Sequence, residues 1–377
     1  MTAVVELYDA KTIDDLVWPD GADAQRLKRY LLPVMREGPR QFVDNADVEM
    51  LALRVDDQVL PVVLPRGTPG NSCVCSPYSH YIAYAREEVG KLSNRALATW
   101  LRRGLSLLGR IVGRSIDRVV YVNNYLWVTN PVVRLSRTQV AAIVDRLVAA
   151  YPDRAVVFRN VDATTRGRLW RSLLACGFRM LASRKVYLVD GASRAMWRRS
   201  NIHKDFVTMR RTPYEVVGNA DLTDADVARM TEVYRRLYLE KYPSLNPQFN
   251  ERFFRLVTRA RVVEGHGFRL NGRLDAFCAN FLQNGVFTPP AIGYDITLPR
   301  KRGLYRMVVV RLIGDAIERR LTLNLSAGSG AFKRLRGGVG VVERDAVYDA
   351  HLPPHRRLAW WLMRVVFNRR VVDAFQD

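Results

Sequence analysis

Clustered and alternating apolar residues, punctuated by turn-forming dipeptides, divide the chain into short strands and amphipathic helices. Met50–Arg54 (MLALR) and Val59–Leu64 (VLPVVL) flank Asp56-Asp57 and read as a strand pair. From Ser93 to Gly113, Leu101, Leu105, Leu108 and Val112 share one helical face, and Val119–Val128 (VVYVNNYLWV) is strand-like. Ser136 with Gln139 three residues later marks a helix start, because each side chain can accept an N–H that the other's backbone leaves unpaired. That helix stops at Tyr151-Pro152-Asp153. Ala155–Val161 (AVVFRNV) has the pattern of a buried strand. A helix through Leu169, Trp170, Leu173 and Leu174 follows, ends at Gly177, and gives way to strands through 178–190.

The same grammar recurs beyond 190. Residues 197–211 (WRRSNIHKDFVTMRR) form a basic helix that ends before Pro213, and Leu222–Tyr242 is a long helix opened by Thr223 and Asp226. Phe249–Ala260 is helical. Val262–Phe287 holds two strands about Asn271-Gly272, a pair suited to the positive φ angles of a tight hairpin. Ala291–Leu298 reads as a strand, Gly303–Glu318 as a helix and Leu321–Ser326 as a strand, with a basic, aromatic-rich amphipathic helix at the C-terminus. The expected class is α/β (α+β), with mixed, mostly antiparallel sheets flanked by helices. The expected division is 1–190, 191–345 and a C-terminal helical segment over 346–377.

Composition adds a bias in partners. The 377 residues are 48% hydrophobic and 10% aromatic, enough for packed cores. Lys and Arg exceed Asp and Glu by 59 − 37 = 22, which favours polyanionic partners such as nucleic acid, anionic lipid or phosphorylated small molecules. Arginine-rich coding, spread along the whole chain, is the competing explanation of that excess. Cys73, Cys75, Cys176 and Cys278 are scattered, so reduced thiols, no metal centre and a cytoplasmic location are expected. The segment MTAVVELYDAKTIDDL lacks the basic start and apolar core of a signal peptide, and no run of about 18 apolar residues occurs. His80, His203 and His266 have no partner assignable from sequence and read as core or surface residues, and His351 and His355, flanking Pro353-Pro354, read as loop residues.

Candidate chemistry gathers near residue 300. Pro299-Arg300-Lys301-Arg302-Gly303 joins a strand to a helix, so free backbone N–H groups, the helix dipole and three cations meet where a pyrophosphate would fit. Downstream, LNLSAGSGAFKRLRGG ends a strand in a small-residue turn followed by Phe332-Lys333.

Arg300-x-x-Gly303-x-Tyr305 resembles the R/Q-x-x-G-x-G/A loop of GNAT-fold acyltransferases, although Tyr305 stands where the family has a small residue. The Ala316–Arg319 helix end, the strand after it and the Phe332-Lys333 pair resemble the Fem-type, CelD-like branch, as does the basic helix at Arg198–Arg211. The resemblance covers about 190–340. It implies a C-terminal acyltransferase domain behind an N-terminal degenerate GNAT-like domain. It further implies donor binding by Arg300, Lys301, Arg302, Gly303, Leu304 and Tyr305, and catalytic parts for Tyr294, Asp295 and Lys333. Arg198, Lys204, Arg211 and Ser326 would then meet the acceptor. The donor would be acyl-CoA, acyl carrier protein or aminoacyl-tRNA, and the acceptor an amine of a small or peptide-like molecule. Two other readings compete. One is a nucleic-acid-binding protein without chemistry, against which no RNP-type strand or zinc finger is found. The other is a membrane-surface protein using the helix near Arg356–Arg370, with Trp360, Trp361 and Phe367 in the interface.

Overall fold

The computed structural model describes residues 3–90, 94–240 and 244–368. In chain order the elements are β1 (Val5–Tyr8), α1 (Ala22–Glu37), β2 (Val48–Val55), β3 (Gln58–Pro65), α2 (Ala85–Val89), α3 (Arg95–Val112), β4 (Val119–Val122), α4 (Arg137–Ala150), β5 (Ala155–Val161), α5 (Gly167–Ala175) and β6 (Arg179–Asp190). They continue as α6 (Ser200–Arg210), β7 (Glu215–Gly218), α7 (Asp224–Arg235), α8 (Glu251–Arg259), β8 (Glu264–Leu270), β9 (Arg273–Gln283), β10 (Val286–Thr288), β11 (Ile292–Tyr294), α9 (Leu304–Glu318), β12 (Thr322–Asn324), α10 (Gly330–Arg334), β13 (Val339–Tyr348) and α11 (Pro354–Asn368). The class is the expected one: mixed, mostly antiparallel β-structure flanked by helices. The expected helix ends at Ser93 and Tyr242, and the C-terminal segment beyond Asn368, lie outside the described residues.

Contacts divide the described chain into two units, one of residues 3–184, 244–248 and 342–368, the other of 185–240 and 249–341. Two of the divisions fall inside strands, β6 and β13, where the sequence suggested limits at 190 and 345.

In the first unit the strand order is β1-β2-β3-β4-β5-β13-β6, with β4 and β5 parallel. The capping box expected at Ser136 and Gln139 is present. It starts α4, whose Val140, Ile143 and Leu147 at helical spacing join Phe158, Phe178 and Leu173 in the core. The strand expected over Val119–Val128 is only four residues long. The chain leaves it because Asn123 and Leu126 take positive φ, while Asn124 and Asn130 side chains accept the N–H groups of Leu126 and Tyr125. Tyr125, Leu126 and Trp127 are thereby buried, with both rings against Tyr30.

Helix α11 belongs to this unit, and its inner face overturns part of the interfacial reading. Trp360 and Phe367 are only 2% and 5% exposed, and Phe367 packs on Tyr81. Arg356 is buried too, donating to the carbonyl oxygens of Asp153, Ser115 and Arg118, and Arg364 pairs with Asp349 at 3.0 Å. Apolar burial and carbonyl capping turn that face inward, and Trp361 is left exposed.

In the second unit the order is β6-β12-β10-β9-β8-β7, and β11 also pairs with β9. The Asn271-Gly272 turn forms as expected, both residues at positive φ. Asn284-Gly285 makes a second such turn into β10, inside what the sequence suggested was continuous strand. Thr223 and Asp226 form the expected capping box of α7. The core gathers Tyr187, Val189, Phe268, Phe287, Met307 and Leu323 around the apolar face of α9.

His80 supplies a measurable consequence of burial in the first unit. Its Nε2 lies 2.9 Å from Ser183 Oγ, and burial, reinforced by Arg159 and Arg184, pushes the imidazole from 6.5 down to about 3. Between those values the unfolded chain binds a proton that the folded chain does not, so stability falls as pH drops through that window. Urea midpoints measured from about pH 7 to about pH 4.5 should therefore decline, and His80→Gln should remove about 2–3 kcal/mol of the decline. An unaltered slope in the variant would show that His80 does not carry it.

Candidate active site

A one-residue mismatch between neighbouring strands shapes the site. Strand β10 pairs Thr288 with Phe281, and β11 pairs Ile292 with Cys278. The step is 292 − 288 = 4 residues on one side and 281 − 278 = 3 on the other, which is a β-bulge. Pro289 and Pro290 occupy it, and neither can donate to a ladder. The Ala279 N–H nevertheless reaches the Ala291 carbonyl, so β11 resumes along β9. Gly293 has no side chain to collide with the Phe277 ring, which lies 2.3 Å from where a Cβ would stand.

Strand β12 behaves differently. It runs parallel to β10 at Val286–Thr322 and Phe287–Leu323, and then stays with β6. Leu325 N–H donates to Tyr187 O, and Tyr187 N–H to Ser326 O, extending that pairing. Among the described residues no pairing joins β11 to β12, so the two parallel paths part after Phe287. Thr288, buried at the parting, has a hydroxyl oxygen without a hydrogen-bond partner.

Beyond β11 the chain makes a single 3-10 turn over Arg300–Arg302 and enters α9 through Gly303, whose φ of 70° is left-handed. Arg302 and Gly303 N–H groups are taken up inside that turn by Pro299 and Arg300 carbonyls. The donors the sequence placed in the loop therefore sit one residue later. The helical ladder opens with Met307 N–H on Gly303 O, so the first turn of α9 runs through Leu304, Tyr305 and Arg306. Leu304 is buried and anchors the turn, whereas Arg300, Lys301 and Arg302 are exposed.

Tyr294 and Tyr305 are brought together at 5.6 Å between ring centroids, and Phe332 of α10 lies 5.0 Å from Tyr305. Tyr305, the departure from the small-residue pattern, thus joins three elements of the site. Asp295 is placed differently. It is buried, ion-paired with Arg229 and with Arg273 at 2.8 Å, and accepts the Thr297 N–H and hydroxyl. Burial pushes its pKa up, but the Thr297 hydrogen bonds and the Arg229 guanidinium outweigh this and hold the carboxyl below its ordinary value. A carboxylate so stabilised is a weak proton acceptor.

Lys333 is 4% exposed, and its ammonium donates to the carbonyl oxygens of Leu325, Ser326 and Ala327 at 2.7, 3.1 and 2.7 Å. It clamps the turn that ends β12, where Ser326 and Ser329 both take positive φ. Ser326 adds a hydrogen bond from its N–H to Asn324 Oδ1. Of the expected acceptor residues, Lys204 and Arg211 are exposed at α6 and its end, and the Arg198 side chain lies outside the described residues.

Sequence reasoning missed the supports of this site. Asp205 of α6 binds Arg336 at 2.5 Å and Arg306 at 3.3 Å, tying α6 to the start of α9 and the end of α10. Arg336 also lies over the Phe332 ring at 3.5 Å. No sequence signal marks Asp205, because its partners are about 100 or more residues away and any exposed helical aspartate reads the same. Among the described residues no group of three or more His, Cys, Asp or Glu could hold a metal ion.

Residues 198–334 match the family model described as "Acetyltransferase (GNAT) domain". Similar solved structures include the C-terminal domain (DUF2156) of a putative lysylphosphatidylglycerol synthetase from Agrobacterium fabrum, at 14% identity and TM-score 0.46 over 66% of this chain and 82% of that one. FemX is similar at 8% identity and TM-score 0.45, over 60% and 79% of the two chains. A tandem GNAT protein from the clavulanic acid biosynthesis pathway is similar at 11% and 0.40, over 92% and 98%. No curated protein matches the sequence.

The clamp can be tested by stability. Lys333→Met leaves three carbonyl oxygens short of a donor and should cost about 2–4 kcal/mol in urea unfolding. Asp295→Asn should cost a similar amount, because Arg229 and Arg273 lose their shared counter-charge. A loss under about 0.5 kcal/mol in either variant would contradict the packing described.

Proposed function

We propose that this chain is an N-acyltransferase of the Fem-like kind, moving an acyl or aminoacyl group from a phosphate-bearing thioester or ester donor to an amine. The observation that carries this is the parting of β11 from β12 beside the N-terminus of α9, with Arg300, Lys301 and Arg302 exposed at that terminus. Open strand-edge N–H groups can receive the acyl carbonyl, and the helix dipole with three cations suits the donor's phosphates.

In the reaction the neutral amine attacks the acyl carbonyl carbon, and the carbonyl oxygen takes negative charge that backbone donors stabilise. Collapse breaks the carbon–sulfur or carbon–oxygen bond, the amine loses a proton and the leaving thiolate or alkoxide gains one. Tyr294, the last residue of β11 and 5.6 Å from Tyr305 between ring centroids, is the side chain we assign to proton movement there. Asp295 holds the β11 end through its arginines, and Lys333 holds the opposing turn, so both support the site without touching substrate. Acyl-CoA is the first donor to test, with carrier-bound and tRNA-bound acyl groups as the other sources of the same chemistry.

Acetyl-CoA should raise the melting temperature, and Arg300→Ala with Arg302→Ala should abolish most of that rise and weaken donor binding about 10-fold or more. Both arginines are exposed, so the variant should fold normally. If acetyl-CoA and an aminoacyl-tRNA both fail to stabilise the protein, or the double variant binds donor as well as the parent, the assignment is wrong.

A further inference from the structure

The outward face of α3 is unlike the rest of the surface. Leu97, Trp100, Leu107 and Ile111 recur at intervals of three, seven and four residues and so form one stripe along the helix. All four are exposed, Trp100 at 71% and Ile111 at 61%. The helix does not need them for its own packing, since Ala98, Leu105, Leu108 and Val112 already face the protein. Exposed apolar residues occurring singly are ordinary, whereas four aligned on one helix mark a contact surface.

The flank of the stripe is cationic. Arg102, Arg103 and Arg110 line an open groove of about 390 Å³ together with Thr99, Ser106 and Leu107. Neither α3 nor α11 contains a single Asp or Glu. Helix α11, packed beside α3, adds exposed Leu358, Trp361 and Arg357.

We infer that the α3 face docks on an anionic lipid surface, with Trp100, Leu107 and Ile111 in the headgroup–acyl boundary and Arg103 and Arg110 on lipid phosphates. Both parts of the surface are then used. Tryptophan and aliphatic side chains gain from entering the boundary region, and arginines gain from the negative surface potential. A second copy of the chain fits poorly, because two such faces would bring arginine rows together with no carboxylate on either helix. A nucleic acid would engage the arginines but leave the apolar stripe in water. No described helix is long and apolar enough to cross a membrane, and the amphipathic pattern describes lying on the surface.

The test uses the full chain and sedimentation with vesicles of phosphatidylcholine alone or of equimolar phosphatidylcholine and phosphatidylglycerol. Binding should occur to the mixed vesicles and weaken with added salt. Arg103→Glu with Arg110→Glu should lower the partition coefficient about 10-fold or more, given the gain per arginine near a charged surface. Trp100→Ser with Ile111→Ser should lower it comparably while leaving circular dichroism unchanged. Absence of binding to mixed vesicles at low salt overturns the inference. So does equal binding by the Trp100→Ser, Ile111→Ser variant, or a self-association of the parent chain that this variant abolishes.

Discussion

One residue too many between Thr288 and Ile292 is the constraint on which the site depends. Without it, β10 and β11 would form a straight strand, free to pair along both neighbours. The extra residue and two prolines interrupt the ladder, so β11 follows β9 while β12 follows β6. Among the described residues no pairing then joins β11 to β12, and the sheet opens between them. The neighbouring turns only hold this opening in shape: Lys333 gathers the carbonyls at the end of β12, and Asp295 gathers arginines at the end of β11.

Local devices were legible in the sequence and distant ones were not. Ser136 with Gln139, Thr223 with Asp226, and Asn271-Gly272 all act within a few residues, and each forms as its chemistry dictates. The Gly303 entry into α9 belongs to the same group. The strand over Val119–Val128 failed because Asn124 and Asn130 compete for backbone N–H groups, an effect invisible to an apolar pattern. Asp295 and Lys333 were found as positions, but what surrounds them comes from remote elements: Arg229 and Arg273 for one, the turn after β12 for the other. Polar burial is a tertiary fact, and it decides whether a charged side chain reacts or holds.

Net charge illustrates the same point. An excess of 22 positive side chains suggested a polyanionic partner, yet Arg159, Arg166, Arg184, Arg336, Arg356 and Arg364 are buried. Arg166 with Asp162 and Arg184 with Glu343, both at 2.8 Å, belong to the interior. These arginines replace water around carboxylates and carbonyls inside the protein and are not offered to a ligand. What remains outside is unevenly distributed, with one group at the start of α9 and another along α3.

The passage of the chain through β6 and β13 has a consequence for biosynthesis. The first unit begins at the N-terminus, yet its strand between β5 and β6 is supplied by Val342–Tyr348, after the whole of the second unit. On the ribosome, β5 and β6 emerge with facing edges bare, and they stay bare while residues 191–341 are made. Bare edges are templates for wrong pairing. The order of completion is thus the reverse of the order of synthesis: the second unit can close first, and the first is sealed only when β13 arrives. A chain cut near residue 190 would therefore lack the strand that closes its own sheet.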